Sequence, residues 1–163
     1  MNSFTIIEFS KNSDISNWNI VDDIVMGGKS SSEFELSEKG SGIFKGSVSL
    51  ENNGGFSSVQ HRFKNIDSNA FLKFVIHIKG DGKRYQFRIK ANANDYYSYI
   101  FNFPTTGDWQ IVEIPFGKMS PSFRGTILNQ SNFSGEKIQE IGFLIGNKKA
   151  EDFKLEIKKI ELL

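Results

Sequence analysis

The feature that most constrains this chain is the repeated alternation of apolar and polar residues. In the run 84–90, Tyr85, Phe87 and Ile89 alternate with four polar residues. Because successive side chains of a strand point to opposite faces, such runs predict strands with one buried face. Further strands are predicted at 4–9, 18–25, 32–37, 43–50, 56–63, 72–79, 97–103, 108–114, 139–145 and 153–162.

Turn-forming segments rich in Gly, Asn and Asp separate these runs, as at 27–28, 52–55 and 80–82. About ten short strands at this spacing predict two antiparallel sheets packed face to face. We therefore expect an all-β sandwich or jelly roll, formed as one domain over 1–163. The longest stretch without a strand signal is about 115–137, where we expect a long loop. The one candidate for a short helix is 131–138.

Composition and charge exclude several classes of protein. The 16 Phe support a β-rich core, and the absence of Cys removes disulfides, thiolate zinc sites and cysteine nucleophiles. A formal net charge of +1 gives no reason to expect nucleic-acid binding. No apolar run approaches the roughly 20 residues of a membrane helix, so no membrane insertion is expected. The start of the chain resembles a first strand rather than a signal peptide, which predicts a cytoplasmic location.

Residue patterns for catalysis are weak. His61 and His77 are the two histidines, and each falls within a predicted strand. We expect His61 to be packed and His77 to be solvated or to pair across strands. No G-x-S-x-G elbow is present, and the Gly-Ser-Gly of 40–42 precedes a strand rather than a helix. The sequence therefore predicts no enzyme and no cofactor.

The pair Asp22-Asp23 leaves two alternatives open. Adjacent strand residues point to opposite faces, so both cannot line one site without a bulge. One Asp could cap the turn before Met26-Gly27-Gly28, or it could supply an oxygen ligand for Ca²⁺. The first alternative is favoured because no Asp-rich loop of recognisable spacing is present.

Two strand faces are candidates for binding. The aromatic face of 97–103 would form a stacking platform if it were exposed, but the favoured interpretation is core. The polar face of 84–90 carries Arg84, Gln86, Arg88 and Lys90. With Gln60 and Arg62 beside it, that face could bind a carboxylate or a phosphate.

Several motifs in order resemble the complex I intermediate-associated protein family of the thirty-kilodalton class, over about 5–162. They are Trp18-x3-Asp22-x3-Met26-Gly27-Gly28-x-Ser30, Phe44-x-Gly46, Asn53-Gly54-Gly55-Phe56-x-Ser58-Val59, Gly80-Asp81-Gly82-x2-Tyr85, Asp108-Trp109-x4-Ile114-Pro115-Phe116 and Phe123-Arg124-Gly125. The resemblance implies a galactose-binding-like jelly roll and assembly chaperones of respiratory complex I, with no established catalytic residues. It also implies Arg soon after the Gly-Gly-Phe motif, where position 60 is Gln. Arg62, on the same strand face, could take that role.

The motif residues divide into apolar and polar sets. We expect the apolar set to be core: Trp18, Phe44, Phe56, Trp109 and Phe116. The polar set forms the candidate binding residues: Asp22, Ser30, Asn53, Ser58, Arg62, Asp81, Arg88 and Arg124. If Asp22, Asn53 and Arg124 converge, they form either a buried salt bridge or a small pocket at the rim of the sandwich.

Together these observations predict a non-catalytic binding module. Its expected partner is a protein client, such as respiratory-complex subunits or an assembly intermediate. The alternative is a carbohydrate-binding module, which would require Tyr97 and Tyr99 to be exposed on a concave face. A third hypothesis is an enzyme or small-anion receptor that uses Asp22, Arg88 and Arg124.

Overall fold

The computed structural model describes residues 3–23 and 27–163. No helix within these ranges is long and apolar enough to cross a membrane. The described residues form 13 strands: β1 (Phe4–Glu8), β2 (Trp18–Ile20), β3 (Ser31–Leu36), β4 (Gly42–Val48), β5 (Ser57–Asp67), β6 (Lys73–Lys79), β7 (Arg84–Lys90), β8 (Ser98–Pro104), β9 (Trp109–Pro115), β10 (Ser120–Phe123), β11 (Thr126–Ile127), β12 (Lys137–Ile145) and β13 (Glu151–Leu162).

The strands form two antiparallel sheets. The six-stranded sheet has the order β3-β4-β13-β6-β9, and β1 pairs with β13 beside this path. The seven-stranded sheet has the order β11-β10-β8-β7-β12-β5-β2. The prediction of an all-β, two-sheet antiparallel sandwich is confirmed.

The core consists of the inward side chains of both sheets, with aromatic rings at its centre. Phe74 of the six-stranded sheet packs edge-on against Phe87 of the seven-stranded sheet, with ring centroids 5.0 Å apart. It also contacts Phe116 at 5.1 Å and Phe133 at 6.4 Å. Phe133 belongs to the long segment without strand signal, so the same ring that joins the sheets also anchors that segment.

The segment 115–137 differs from its prediction. It contains β10 and β11, and the predicted helix at 131–138 is wrong because 131–136 is irregular and β12 begins at Lys137. Pro121 and Gly125 interrupt the alternation that would reveal these short strands. Backbone pairing, such as Ser120 opposite Ile100, forms them instead.

Two other predicted strands have different lengths. The strand expected at 56–63 continues to Asp67 in β5. The strand expected at 18–25 is formed only over Trp18–Ile20, and its positions 24–25 lie outside the described residues.

Three of the five predicted core aromatics are buried: Trp18, Phe44 and Phe116. The prediction is wrong for Trp109, which is 49% exposed, and for Phe56, which is half-buried. In β9 the buried Ile114 sets the inward face, and this alternation turns Trp109 and Ile111 outward.

The aromatic centre predicts a large cost for one truncation. Replacing Phe74 by Ala removes the ring that joins both sheets and leaves a cavity, which should lower the free energy of unfolding by about 3–5 kcal/mol. Leu72→Ala is the matched control, because Leu72 is 81% exposed and such changes stay within about 0.5 kcal/mol. Urea unfolding of both variants measures the difference. Equal losses in the two would contradict this account of the core.

Candidate functional site

The outer face of the seven-stranded sheet carries polar side chains in register across neighbouring strands. The central row runs from Gln60 on β5 through Gly142 on β12 and Arg88 on β7 to Ile100 on β8. On one side of this row lies Arg62–Glu140–Lys90. On the other side lies Ser58–Leu144–Gln86–Asn102. The three rows form the floor of a cleft.

We call this feature the sheet cleft; its volume is about 790 Å³. Its lining includes polar groups of the three rows, such as Gln60, Gln86 and Asn102, and the apolar Ile100 and Leu144. Aromatic side chains border it, and the rings of Tyr96 and Phe123 meet edge-on with centroids 5.1 Å apart. The cleft therefore offers both hydrogen-bonding groups and apolar surface, the common composition of a ligand site.

Charged groups on the floor have different partners. Arg62 donates from Nε to Oε1 of Glu140 at 2.7 Å, and Glu140 is only 5% exposed. Arg88 donates from Nη1 to the Gln86 side-chain oxygen at 2.9 Å. Lys90 donates to the carbonyl oxygen of Asp95 at 2.7 Å. Burial lowers the pKa of Arg88, an effect that the nearby Glu140 carboxylate opposes.

Gly142 leaves the floor open beside Arg88. A Cβ at this position would lie 2.6 Å from the Val59 carbonyl oxygen, closer than side chains normally approach. The close approach of β5 and β12 therefore requires glycine here. Its consequence for the site is a gap between Gln60 and Arg88, the two side chains in register on either side.

A second polar cluster, centred on Asp23, lies inside the loops around β2. Asp23 is fully buried and accepts hydrogen bonds from the Ser30 hydroxyl at 2.5 Å, the Gly55 N–H at 2.6 Å and the Phe56 N–H at 3.3 Å. Burial alone would raise the pKa of Asp23, but hydrogen bonds from Ser30, Gly55 and Phe56 outweigh it and leave the pKa below its ordinary value.

The Asp23 cluster also explains two motif glycines. A Cβ at Gly28 would lie 2.5 Å from the Asp23 carboxyl group, and one at Gly54 would lie 2.6 Å from its Oδ2. The backbone N–H of Gly28 also bonds to the Asp23 carbonyl at 2.9 Å. Of the two alternatives for Asp22-Asp23, the turn-capping role fits Asp23. Among residues 3–23 and 27–163 no three His, Asp or Glu side chains are grouped as metal ligands would be.

Asp22 and Arg124, whose convergence would have formed a salt bridge or a rim pocket, have separate environments. Asp22 is buried and accepts from the Ser32 hydroxyl at 2.7 Å, and its burial raises its pKa. Arg124 borders the sheet cleft in the turn between β10 and β11, with its guanidinium 5.2 Å from the Phe123 ring centroid. No ion pair joins Asp22 to Arg124 in the described chain. The Asn53 side chain, the third of this set, lies outside what the structure describes.

The candidate residues therefore fall into two groups. Ser58, Arg88 and Arg124 line the sheet cleft, and Arg62 adjoins it through Glu140. Asp22, Ser30 and Asp81 hold loops. Asp22 and Ser30 bond around β2, and Asp81 accepts from the Tyr85 hydroxyl at 2.9 Å and the Lys154 N–H at 2.8 Å. Because Asp22 lies outside the cleft, the structure does not assemble Asp22, Arg88 and Arg124 into one catalytic or anion site.

The aromatic face of β8 packs inward. This agrees with the favoured interpretation of the sequence, in which these rings belong to the core. Phe103 is buried, Tyr99 and Phe101 pack on the core, and Tyr97 rests edge-on against Tyr99 at 5.6 Å. The opposite face of the strand, Ser98, Ile100 and Asn102, lines the cleft. Tyr96 and Phe123 are exposed at the cleft. The alternation did not identify Tyr96 because it precedes the strand.

Both histidines have partners on neighbouring elements. His61 stacks on Trp18 with ring centroids 5.0 Å apart, in agreement with a packed role. His77 lies 3.2 Å from Glu161 through Nε2, a contact between β6 and β13. This contact fits the expected pairing across strands.

Solved structures share this architecture. One is the family 11 carbohydrate-binding module from Clostridium thermocellum, determined with a β-1,3-1,4-mixed-linked tetrasaccharide; its TM-score is 0.68 at 17% identity, over 99% of this chain and 95% of that one. Another is the agarase AgWH50C, with a TM-score of 0.64 at 14% identity, over 99% of this chain and 24% of that one. At these identities the likeness concerns the fold, a galactose-binding-like jelly roll of the carbohydrate-binding-module type.

The family model of complex I intermediate-associated protein 30 matches residues 7–157. The chain belongs to that family, as the motif resemblance indicated. It is 26% identical over 182 residues to complex I intermediate-associated protein 30, mitochondrial, from Drosophila melanogaster, covering 96% of this chain and 62% of the relative. The Mus musculus protein of the same name is 27% identical over 174 residues, covering 92% of this chain and 53% of the relative. The chain thus spans little more than half the length of these relatives.

The relatives correct one prediction. A cytoplasmic location was expected from the residues at the start of the chain. Both curated relatives are named as mitochondrial proteins, which contradicts that expectation. The start of this sequence gives no guide to location, because the chain matches only part of each relative.

Replacing Asp23 or Asp22 by Asn should change the free energy of unfolding in different ways. Asp23→Asn should lower the free energy of unfolding at neutral pH by at least about 2 kcal/mol, because an NH2 donor replaces one of the two acceptor oxygens that buried N–H and hydroxyl groups use. Asp22→Asn is the matched control and should be neutral or slightly stabilising, since burial disfavours its charge. Urea unfolding near pH 7 measures both. A larger loss in Asp22→Asn would contradict the assignment of Asp23 as the structural carboxylate.

The same pair predicts a pH dependence. The folded pKa of Asp23 lies below its ordinary value of 3.8, so its contribution is present above that value and is lost as pH falls through the folded pKa. The folded pKa of Asp22 is raised, so its contribution declines as pH rises past 3.8. Between acidic and neutral pH, the free energy of unfolding should therefore rise more steeply with pH in Asp22→Asn than in the wild type. In Asp23→Asn it should rise less steeply. The reverse order would overturn both assignments.

Proposed function

We propose that this chain is a non-catalytic binding module that takes part in the assembly of respiratory complex I by holding a protein client in the sheet cleft. Family membership supports the assembly role. The observation that carries the site is the cleft of about 790 Å³ across the outer face of the seven-stranded sheet. We place this role in mitochondria, as the names of the relatives suggest.

The floor chemistry supports binding rather than catalysis. Among the described residues that line the cleft, Glu140 is the one carboxylate. It is almost fully buried and is held by Arg62 at 2.7 Å, so it is poorly placed to exchange protons with a ligand. Neither His61 nor His77 lines the cleft. The cleft thus presents hydrogen-bonding groups without an evident acid–base pair.

Site-specific photo-cross-linking tests this proposal. Asn102 is exposed on the cleft floor and Ile111 is exposed on the other sheet, so p-benzoylphenylalanine is introduced at each position separately. The purified proteins are irradiated with detergent-solubilised membranes that contain complex I and its intermediates. Mass spectrometry should identify complex I subunits or assembly factors cross-linked from position 102 and not from position 111.

Two results would contradict the proposal. If no complex I subunit or assembly factor is cross-linked from either position, the assembly role fails. If such proteins are cross-linked from position 111 alone, the client-binding face lies on the six-stranded sheet and the cleft is not the site.

Carbohydrate is a second candidate ligand, supported by the Tyr96–Phe123 pair at the cleft border. Tyr96 is 59% exposed, and an exposed ring is a natural surface on which a sugar can stack. Against this candidate, Tyr99, Phe101 and Phe103 face the core and leave the centre of the floor without rings. We therefore rank it below the protein client.

Affinity electrophoresis tests the carbohydrate candidate. If it holds, a gel containing mixed-linked β-glucan should retard the wild-type chain, and Tyr96→Ala should abolish the retardation. Trp109→Ala is the matched control, because Trp109 is an exposed ring on the other sheet. Unchanged wild-type mobility in gels of this and other neutral glucans would eliminate the candidate.

A further inference from the structure

The sheet cleft is bordered by cationic groups that lack acidic partners. Its lining includes Arg88 and Lys90 on the floor and Arg124 and Lys148 in the adjoining loops, against the single carboxylate of Glu140. Glu140 is already paired with Arg62, which lies beside the cleft. None of the four lining cations forms a salt bridge within the part of the chain that the structure describes. The cleft is therefore locally positive although the whole chain has a net charge of only +1.

Arg88 is the most constrained of these cations. It stands in the middle of β7, between β12 and β8, and the residue as a whole is half-buried. One hydrogen bond to Gln86 orients it, which leaves further N–H groups of its fork for a ligand. The gap at Gly142 lies directly beside it. A guanidinium held in this way can engage a carboxylate through two parallel hydrogen bonds.

Two of the other three cations have neutral partners. Lys90 donates to a backbone carbonyl, and Arg124 stacks over the Phe123 ring. An incoming carboxylate would therefore not have to displace an internal acid from any of them. Positive charge with free hydrogen-bonding capacity favours acidic ligands and accelerates their approach.

The shape of the cleft favours an extended ligand. Residues of β5, β12, β7, β8 and β10 line it, and these strands are neighbours in this order. At about 4.8 Å between strands the floor is roughly 19 Å wide, which is the length of about six extended residues. Along β12 the lining runs from Glu140 to Gly146, which is a similar length. The cleft is therefore long enough in both directions to hold an extended segment.

We propose that the sheet cleft binds an extended, acidic peptide segment of the client, with one of its carboxylates on Arg88. This inference rests on the proposed function, which makes the ligand a protein. Gln60, Gln86 and Asn102 carry amide donors and acceptors suited to a peptide backbone. Leu50, Phe56 and Ile127 at the border provide apolar contacts for the side chains between the acids.

Fluorescence anisotropy with defined peptides tests this inference. The probe is a fluorescein-labelled peptide of about eight residues, long enough to span the cleft, in which Asp and Glu alternate with Leu and Ser. The control peptide has Lys in place of each acid. The acidic peptide should bind and should weaken as NaCl is raised, because salt screens the attraction. The basic peptide should not bind.

Two matched variants locate the contact. Arg88→Gln should weaken acidic-peptide binding by about tenfold, the effect of losing one charge-assisted contact. Arg84→Gln should leave it unchanged, since Arg84 begins the same strand but does not line the cleft. Thermal unfolding confirms that each variant is folded. If Arg88→Gln does not fold, Arg124→Gln in the exposed border turn decides in its place, with a weaker loss expected.

The outcomes separate this inference from the proposed function. Suppose that a complex I client is cross-linked from position 102, but the acidic peptide neither binds nor reduces that cross-linking. The acidic-segment proposal is then overturned and the function stands. If the peptide binds through Arg88 and no such client is cross-linked, the function fails and the cleft chemistry stands. Equal binding of both peptides, equal effects of Arg84→Gln and Arg88→Gln, or stronger competition by polygalacturonate than by unlabelled acidic peptide would also overturn the proposal.

Discussion

The backbone pairing of β7 with β12 sets both the interior and the binding face of this protein. Phe87 lies opposite Phe143, and their rings pack 5.4 Å apart in the core. One residue further along, Arg88 lies opposite Gly142 on the outer face. Because strand side chains alternate with a period of two, a slip of β7 by one residue would turn Arg88 inward and Phe87 outward. The cost of exposing the core therefore also fixes the position of Arg88.

The polar motifs of the sequence serve two different purposes, and burial distinguishes them. Asp23 is enclosed by N–H and hydroxyl donors, so its charge is satisfied inside the protein and stabilises the loops around β2. Arg88 faces a cleft with an amide oxygen as its described partner, so its charge remains available. A carboxylate that accepts several internal hydrogen bonds organises the fold, whereas a half-buried cation that forms no salt bridge among the described residues is suited to a ligand.

Much of the fold and part of the site could be predicted from sequence. Physical causes explain which features could be predicted and which could not. Alternation predicted the strands and placed Arg88 on a polar face, because burial of one face enforces a period of two. It could not identify β10, where Pro121 interrupts the pattern, or the outward turn of Trp109, since an edge strand can expose a large apolar side chain. The Asp23 cluster was hidden because its partners, Ser30 and Gly55, come from distant loops.

Net charge was the weakest guide to ligand chemistry, and the structure shows why. Most acids of this chain that form salt bridges lie away from the cleft, as in Lys45–Glu35 and Lys73–Glu113. Such pairs cancel in the total and contribute little at the surface. The cations of the cleft are not cancelled locally, and a concave low-dielectric surface concentrates their field. A charge total near zero therefore argues against binding over a broad charged surface, and it leaves recognition of one acidic segment by a local cleft fully consistent with the sequence.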